Sequence, residues 1–205
     1  MINALALISV FAAAQSADVQ QATASAAAAR PVLQRCSAVE QQLASRPDVD
    51  WVKPSDKLEA HAALRAALGG AMPHADSMVL IYVFGGHLAT DEESIILERQ
   101  RDGSWLGTQV GRSKIWVKDA PYGSEPRRLW VLPAEASMRL EQILGDPCFH
   151  AEPTEFYPDG SQPPPLGAMS VNLDIVTPTE RRSSAFLGGY AKGLTAEILQ
   201  LSLPR

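Results

Sequence analysis

Seven consecutive residues, Met78-Val79-Leu80-Ile81-Tyr82-Val83-Phe84, are apolar or aromatic, and Gly85-Gly86 ends the run. A β-rich stretch with no alternating polar position reads as the buried central strand of a sheet. The rest of the fold has to be arranged around it. Residues 94–101 and 104–110 flank Asp102-Gly103, whose glycine accepts positive φ, the signature of a two-residue hairpin loop. Residues 114–118 and 128–132 are two further short strands, so the middle of the chain is a meander. Farther on, Met169, Val171, Leu173 and Ile175 alternate with Ser170, Asn172 and Asp174, a period-two strand whose polar side is expected to face solvent.

Helical spacing brackets this region. Val32, Cys36, Val39 and Leu43 share one helical face that starts after Pro31, ends at Arg46-Pro47 and turns Cys36 inward. Asp56 and Glu59 form a capping-box pattern for a second helix, which closes at Gly69-Gly70 with Leu58, Leu64, Leu68 and His61 on its apolar face. Pro133 opens a third helix through residue 144, with Met138, Ile143 and Leu144 available for packing, and Gly145-Asp146-Pro147 stops it just before Cys148. Residues 156–167 are rich in proline and glycine and form a loop. In residues 183–203 the propensity of Ala196-Glu197-Ile198-Leu199-Gln200-Leu201 favours helix, although Leu199, Leu201 and Leu203 also alternate. Without βαβ alternation, the order points to an α+β fold. Its expected form is a mostly antiparallel sheet of about five or six strands with helices packed on one face.

The N-terminus carries a different signal. Residues 4–14 form an Ala- and Leu-rich apolar run, followed by Gln15, Ser16 and Ala17, which fits a secretory signal peptide over residues 1–17 and is too short to span a bilayer. No basic residue precedes it, the first being Arg30, which departs from the usual pattern. Residues 18–30, mostly Ala, Ser, Gln and Thr, read as a spacer, and residues 31–205 as a single globular domain. Export places the two cysteines, Cys36 and Cys148, in an oxidising compartment, where an even count favours a disulfide between them. The mature chain is expected to be soluble, periplasmic or secreted, with no membrane span.

A hydrophobic fraction of 46% with 20% charged residues belongs to a globular chain, and a net charge of −5 argues against nucleic acid as a partner. Sharp catalytic motifs are missing. Gly103-Ser104-Trp105-Leu106-Gly107 misses the nucleophile elbow by one position, and Gly188-Gly189-Tyr190-Ala191-Lys192-Gly193 lacks the ending of a phosphate-binding loop. His61, His74, His87 and His150 are too scattered to pair on one helix around a metal, and no cofactor motif is present, so neither metal nor cofactor is expected. His61 reads as a packed core residue, His74 and His150 as surface loop residues. Trp51, Trp105, Trp116 and Trp130 read as packing residues, and Arg127-Arg128 and Arg181-Arg182 as solvated pairs.

The best candidate for chemistry is His87, because Gly85-Gly86-His87 leaves the most buried strand and Asp91-Glu92-Glu93 follows in the same loop. An imidazole with a carboxylate partner could serve a hydrolase as general base, yet no nucleophile is assignable. The preferred reading is an exported, non-catalytic binding or envelope-accessory module with no assigned catalytic residue. The alternative is a hydrolase-type enzyme using His87 with Asp91, Glu92 or Glu93. A sheet that packs on a partner protein is the third.

Overall fold

The structure, a computed structural model, describes residue 36 and residues 56–156 and 167–204, with only the backbone at 155 and 156. The segments expected to be a signal peptide, a spacer and, apart from Cys36, a first helix lie outside the described residues, as do Trp51 and residues 157–166; Cys36 itself is helical. The described elements run α1 (Leu58–Ala67), β1 (Met78–Gly85), β2 (Ala89–Arg99), β3 (Trp105–Ile115), β4 (Gly123–Ser124), β5 (Arg128–Val131), α2 (Ala134–Leu144), α3 (Pro147–Ala151), β6 (Glu155–Phe156), β7 (Ser170–Val176), β8 (Arg181–Leu187) and α4 (Gly193–Ser202).

The apolar run is the central strand. β1 lies between β2 and β7 in the order β4-β3-β2-β1-β7-β8-β6, with β5 also paired to β3, and every pairing is antiparallel except β6 with β8. This is the expected α+β class with a mostly antiparallel sheet, but the helices cover both faces and not one. Val79, Ile81, Ile95, Leu97, Trp105, Leu173 and Phe186 point to one face and pack against Leu140 and Ile143 of α2, Phe149 of α3 and Ile198 of α4. Tyr82 and Val110 point to the other face, where Leu64 of α1 covers them. Coverage from both sides explains why β1 tolerates no polar position. Among the described residues no helix is long and apolar enough to cross a membrane.

Local readings shift in four places. The hairpin loop holds three residues, because Gln100 N–H donates to Ser104 C=O at 2.8 Å and Gly103 N–H to Gln100 C=O at 3.0 Å. A two-residue loop of the Asp-Gly type needs positive φ at both residues, but only Gly103 takes it, at +84°. The Asp102 carboxylate instead accepts from the Ser104 N–H at 3.0 Å and hydroxyl at 2.7 Å.

Residues 114–118 are not a separate strand. β3 runs through Ile115, opposite Ala89 at the start of β2, and the chain turns away where its partner ends. The polar side of β7 is buried, with Asn172 3% and Asp174 0% exposed, because the face beneath α1 is covered too. Lys57 N–H and the Ser183 hydroxyl both donate to the Asp174 carboxylate, and burial holds that carboxyl above its usual range. Residues 181–187 form strand β8 ahead of the helix. A turn closed by Thr177 N–H to Glu180 C=O at 2.9 Å returns the chain to the open edge of β7, and pairing there outweighs propensity.

Two helical details also differ. Asp56 accepts the Leu58 N–H at 2.9 Å and pairs with Arg181 in place of forming a capping box with Glu59. Met138 is 59% exposed, since Ala136, Leu140 and Ile143 take the buried face of α2.

Candidate functional site

The β1–β2 connection and the turn after β3 meet at one end of the sheet. Gly85 and Gly86 adopt φ of +131° and +138°, and a Cβ on Gly86 would lie 2.2 Å from the Ala89 carbonyl, so this tight exit needs glycine. It presents Leu88 beside the β3 turn, and the Trp116 N–H donates to the Leu88 carbonyl at 3.1 Å. Four large apolar side chains are exposed there: Leu88 at 77%, Ile115 at 60%, Trp116 at 69% and Val117 at 61%. Single exposed apolar residues are ordinary, but these four gather at one end of the sheet, with Ile115 on the Glu93 face and Trp116, bonded to Thr90, on the Glu92 face.

The patch is held firmly. Trp116 Nε1 donates to Thr90 Oγ1 at 3.0 Å, Val117 N–H to Ile115 C=O at 2.8 Å, and Ala120 N–H to Val117 C=O at 3.0 Å. Asp119 turns the chain at φ of +61°. Alongside, Tyr122 lies under the Arg112 guanidinium at 4.3 Å and the Lys114 ammonium at 5.0 Å.

His87 occupies the same end and is exposed. The two glutamates after it diverge, while Asp91 keeps its carboxylate beside Gly86. Glu92 lies on the α1 face, where it accepts from the Tyr82 hydroxyl and from Arg112 Nε at 2.6 Å. Glu93 lies on the opposite face, accepting from Gln109 Nε2 at 2.9 Å; burial and then the Glu125 charge raise its carboxyl pKa. No hydrogen bond or ion pair joins His87 to Asp91, Glu92 or Glu93. A period-two strand sends consecutive acids to opposite faces, so adjacency in sequence did not bring them together.

The remaining polar groups serve the fold. His150 bonds Glu180 at 3.1 Å and the Leu144 carbonyl at 3.0 Å, while His74 is exposed. Trp105 is fully buried and donates to Glu141 at 3.0 Å; Trp130 lies over Gly107, where a Cβ would approach its ring to 2.2 Å. Arg181 pairs with Asp56, and Arg182 donates to the His150 carbonyl at 2.9 Å, so this pair is engaged rather than solvated. An open groove of about 430 Å³ runs between the hairpin turn and α2, but its Asp102 and Glu141 carboxylates already hold Ser104, Trp105 and Arg99.

His61 is the core residue its helical position implies. It is fully buried, with Nδ1 2.7 Å from Ser94 Oγ and its ring edge-on to Tyr82. Ser94 Oγ also accepts from Arg65 Nε at 2.8 Å, and Arg65 reaches Thr108 Oγ1 at 3.0 Å and the Thr108 carbonyl at 2.9 Å. Burial, then the Arg65 charge, pulls the imidazole from 6.5 to about 3. Between these values the unfolded chain binds a proton that the folded chain refuses, so stability falls as pH drops from about 6.5 towards about 3. Denaturant unfolding at pH 7 and pH 4 should show the native protein losing up to about 3 kcal/mol more than His61→Phe over that interval. Equal losses would mean that His61 does not carry this slope.

Comparison with known proteins returned no matching family, curated protein or solved structure. Function must therefore be argued from this chain's own surface. The exposure of Trp116 is hidden in the sequence, because a tryptophan in a strand-like run reads as packing. The available signal was Lys114 and Lys118 bracketing Ile115-Trp116-Val117 just ahead of Pro121.

Proposed function

We propose that this protein is an exported, non-catalytic binding module of the periplasm or cell envelope that docks through the apolar end of its sheet. The observation that carries the reading is the cluster of Leu88, Ile115, Trp116 and Val117, exposed on a backbone whose polar groups bond internally. An enzyme reading would require polar groups converging on His87, whereas Glu92 and Glu93 are held on opposite faces of the sheet and no hydrogen bond joins His87 to Asp91. The Cys36–Cys148 disulfide fits an oxidising compartment, and the apolar run of residues 4–14 supplies the route as a signal peptide.

Cell fractionation with photo-crosslinking tests both parts. The native chain is expected outside the cytoplasm without its first residues, and a photoreactive side chain at position 117 should give adducts, to lipid or to protein, that one at the exposed position 59 does not. Intact Met1 on a cytoplasmic chain defeats export. Identical behaviour of the two positions defeats the binding surface.

A further inference from the structure

We infer that the partner of the apolar end is a lipid bilayer with anionic headgroups, on which the protein sits peripherally; this rests on the binding-module reading above. Four features of the patch fit a bilayer interface. Leu88, Trp116 and Val117 extend from two neighbouring connections and Ile115 from the last residue of β3, so all four stand at the end of the sheet that would meet a fluid boundary. The N–H groups of Trp116, Val117 and Ala120 already donate to carbonyls of the same two connections, so entry into an apolar medium strands none of them. The Trp116 indole N–H is bound to Thr90, so placing the ring in an apolar medium strands no donor.

Charge supplies the fourth. Lys114 and Lys118 flank the Ile115-Trp116-Val117 triplet, with Lys118 exposed and Lys114 held over Tyr122, so cations stand beside the apolar surface where headgroup phosphates would lie. Asp119 in the same turn offsets one of them, and the chain as a whole carries −5. Attachment therefore has to be local and oriented, with this end towards the lipid. Each lysine near an anionic leaflet strengthens binding roughly fivefold, an effect that salt screens.

The test uses the disulfide-bonded protein isolated from cells and vesicles of phosphatidylcholine alone or mixed with phosphatidylglycerol, read by co-sedimentation. Anionic vesicles should bind roughly tenfold better than neutral ones, and the advantage should shrink in high salt. Leu88→Asp with Trp116→Ser should weaken binding by roughly tenfold or more, and Lys114→Gln with Lys118→Gln should abolish the anionic preference. These side chains are exposed or half-exposed, and an unchanged circular dichroism spectrum shows that each variant still folds. No binding to anionic vesicles, equal binding to neutral ones, or binding unaffected by Leu88→Asp with Trp116→Ser overturns the inference. Should it fall while position 117 still gives a discrete protein adduct in cells, the binding-module reading stands with a protein partner; if neither is seen, both fall.

Discussion

Replacing both Cys36 and Cys148 with serine is expected to lower the melting temperature by on the order of 5 to 15 °C. The bond joins residues 112 apart in sequence, with Cα atoms 5.2 Å apart. In the chain-entropy picture, closing so long a loop restricts the unfolded ensemble by about 4 to 5 kcal/mol, and measured bridges more often contribute about 2 to 4. Both anchors are well placed. Cys36 is 2% exposed, and Cys148 lies in α3, whose Phe149 is buried in the core and stacked by Arg182 at 4.9 Å. Asp146 also accepts the Cys148 N–H at 2.8 Å. The bond thus ties an N-terminal helical residue to an anchored part of the domain. Thermal melts of native, reduced and doubly substituted protein check this: the last two should coincide, well below the first. Three coincident melts would show that the bond adds no stability.

Glu152→Ala should cost about 2 to 4 kcal/mol, the next largest effect. Helix α4 begins at Gly193 with Lys192 at its N-cap, which gives no side-chain hydrogen bond. Glu152, 42 residues away from Leu194 in sequence, does that work: its carboxylate accepts Leu194 N–H at 2.6 Å, Thr195 N–H at 2.9 Å and the Thr195 hydroxyl at 2.7 Å. A negative charge at a helix N-terminus is favourable, and this one is 4% exposed, so screening by water is weak. Truncation leaves Thr195, which is fully buried, without these partners. Gly193 is part of the same arrangement, since a Cβ there would lie 2.2 Å from Glu152 Oε1. Denaturant unfolding of Glu152→Ala and Glu152→Gln distinguishes the contributions. The glutamine variant keeps one oxygen acceptor and should lose clearly less. Equal stability of all three proteins would show that α4 is held by packing alone.

The short-range and compositional signals in the sequence were sufficient for the fold class, the central strand β1, the bounds of α2 and the pairing of Cys36 with Cys148, because each rests on neighbours in the chain or on simple counting. Residues 78–84 show no polar position because both faces are covered, and an apolar run is the direct imprint of that. His61 was legible for the same reason, from its place on a helical face. What depended on partners distant in sequence was not legible. Alternation along β7 marks two faces of different chemistry, and only the packing beneath α1 decided that Asn172 and Asp174 are buried. The helical propensity of the C-terminal segment hid β8, whose strand state comes from the open edge of β7. At the candidate site, the chain order suggested that His87 and the acids after it work together, whereas the pleat of β2 turned Glu92 and Glu93 to opposite faces. Whether Trp116 is core or surface depends on where its ladder ends, and that was set by the length of β2, whose first residue pairs with Ile115.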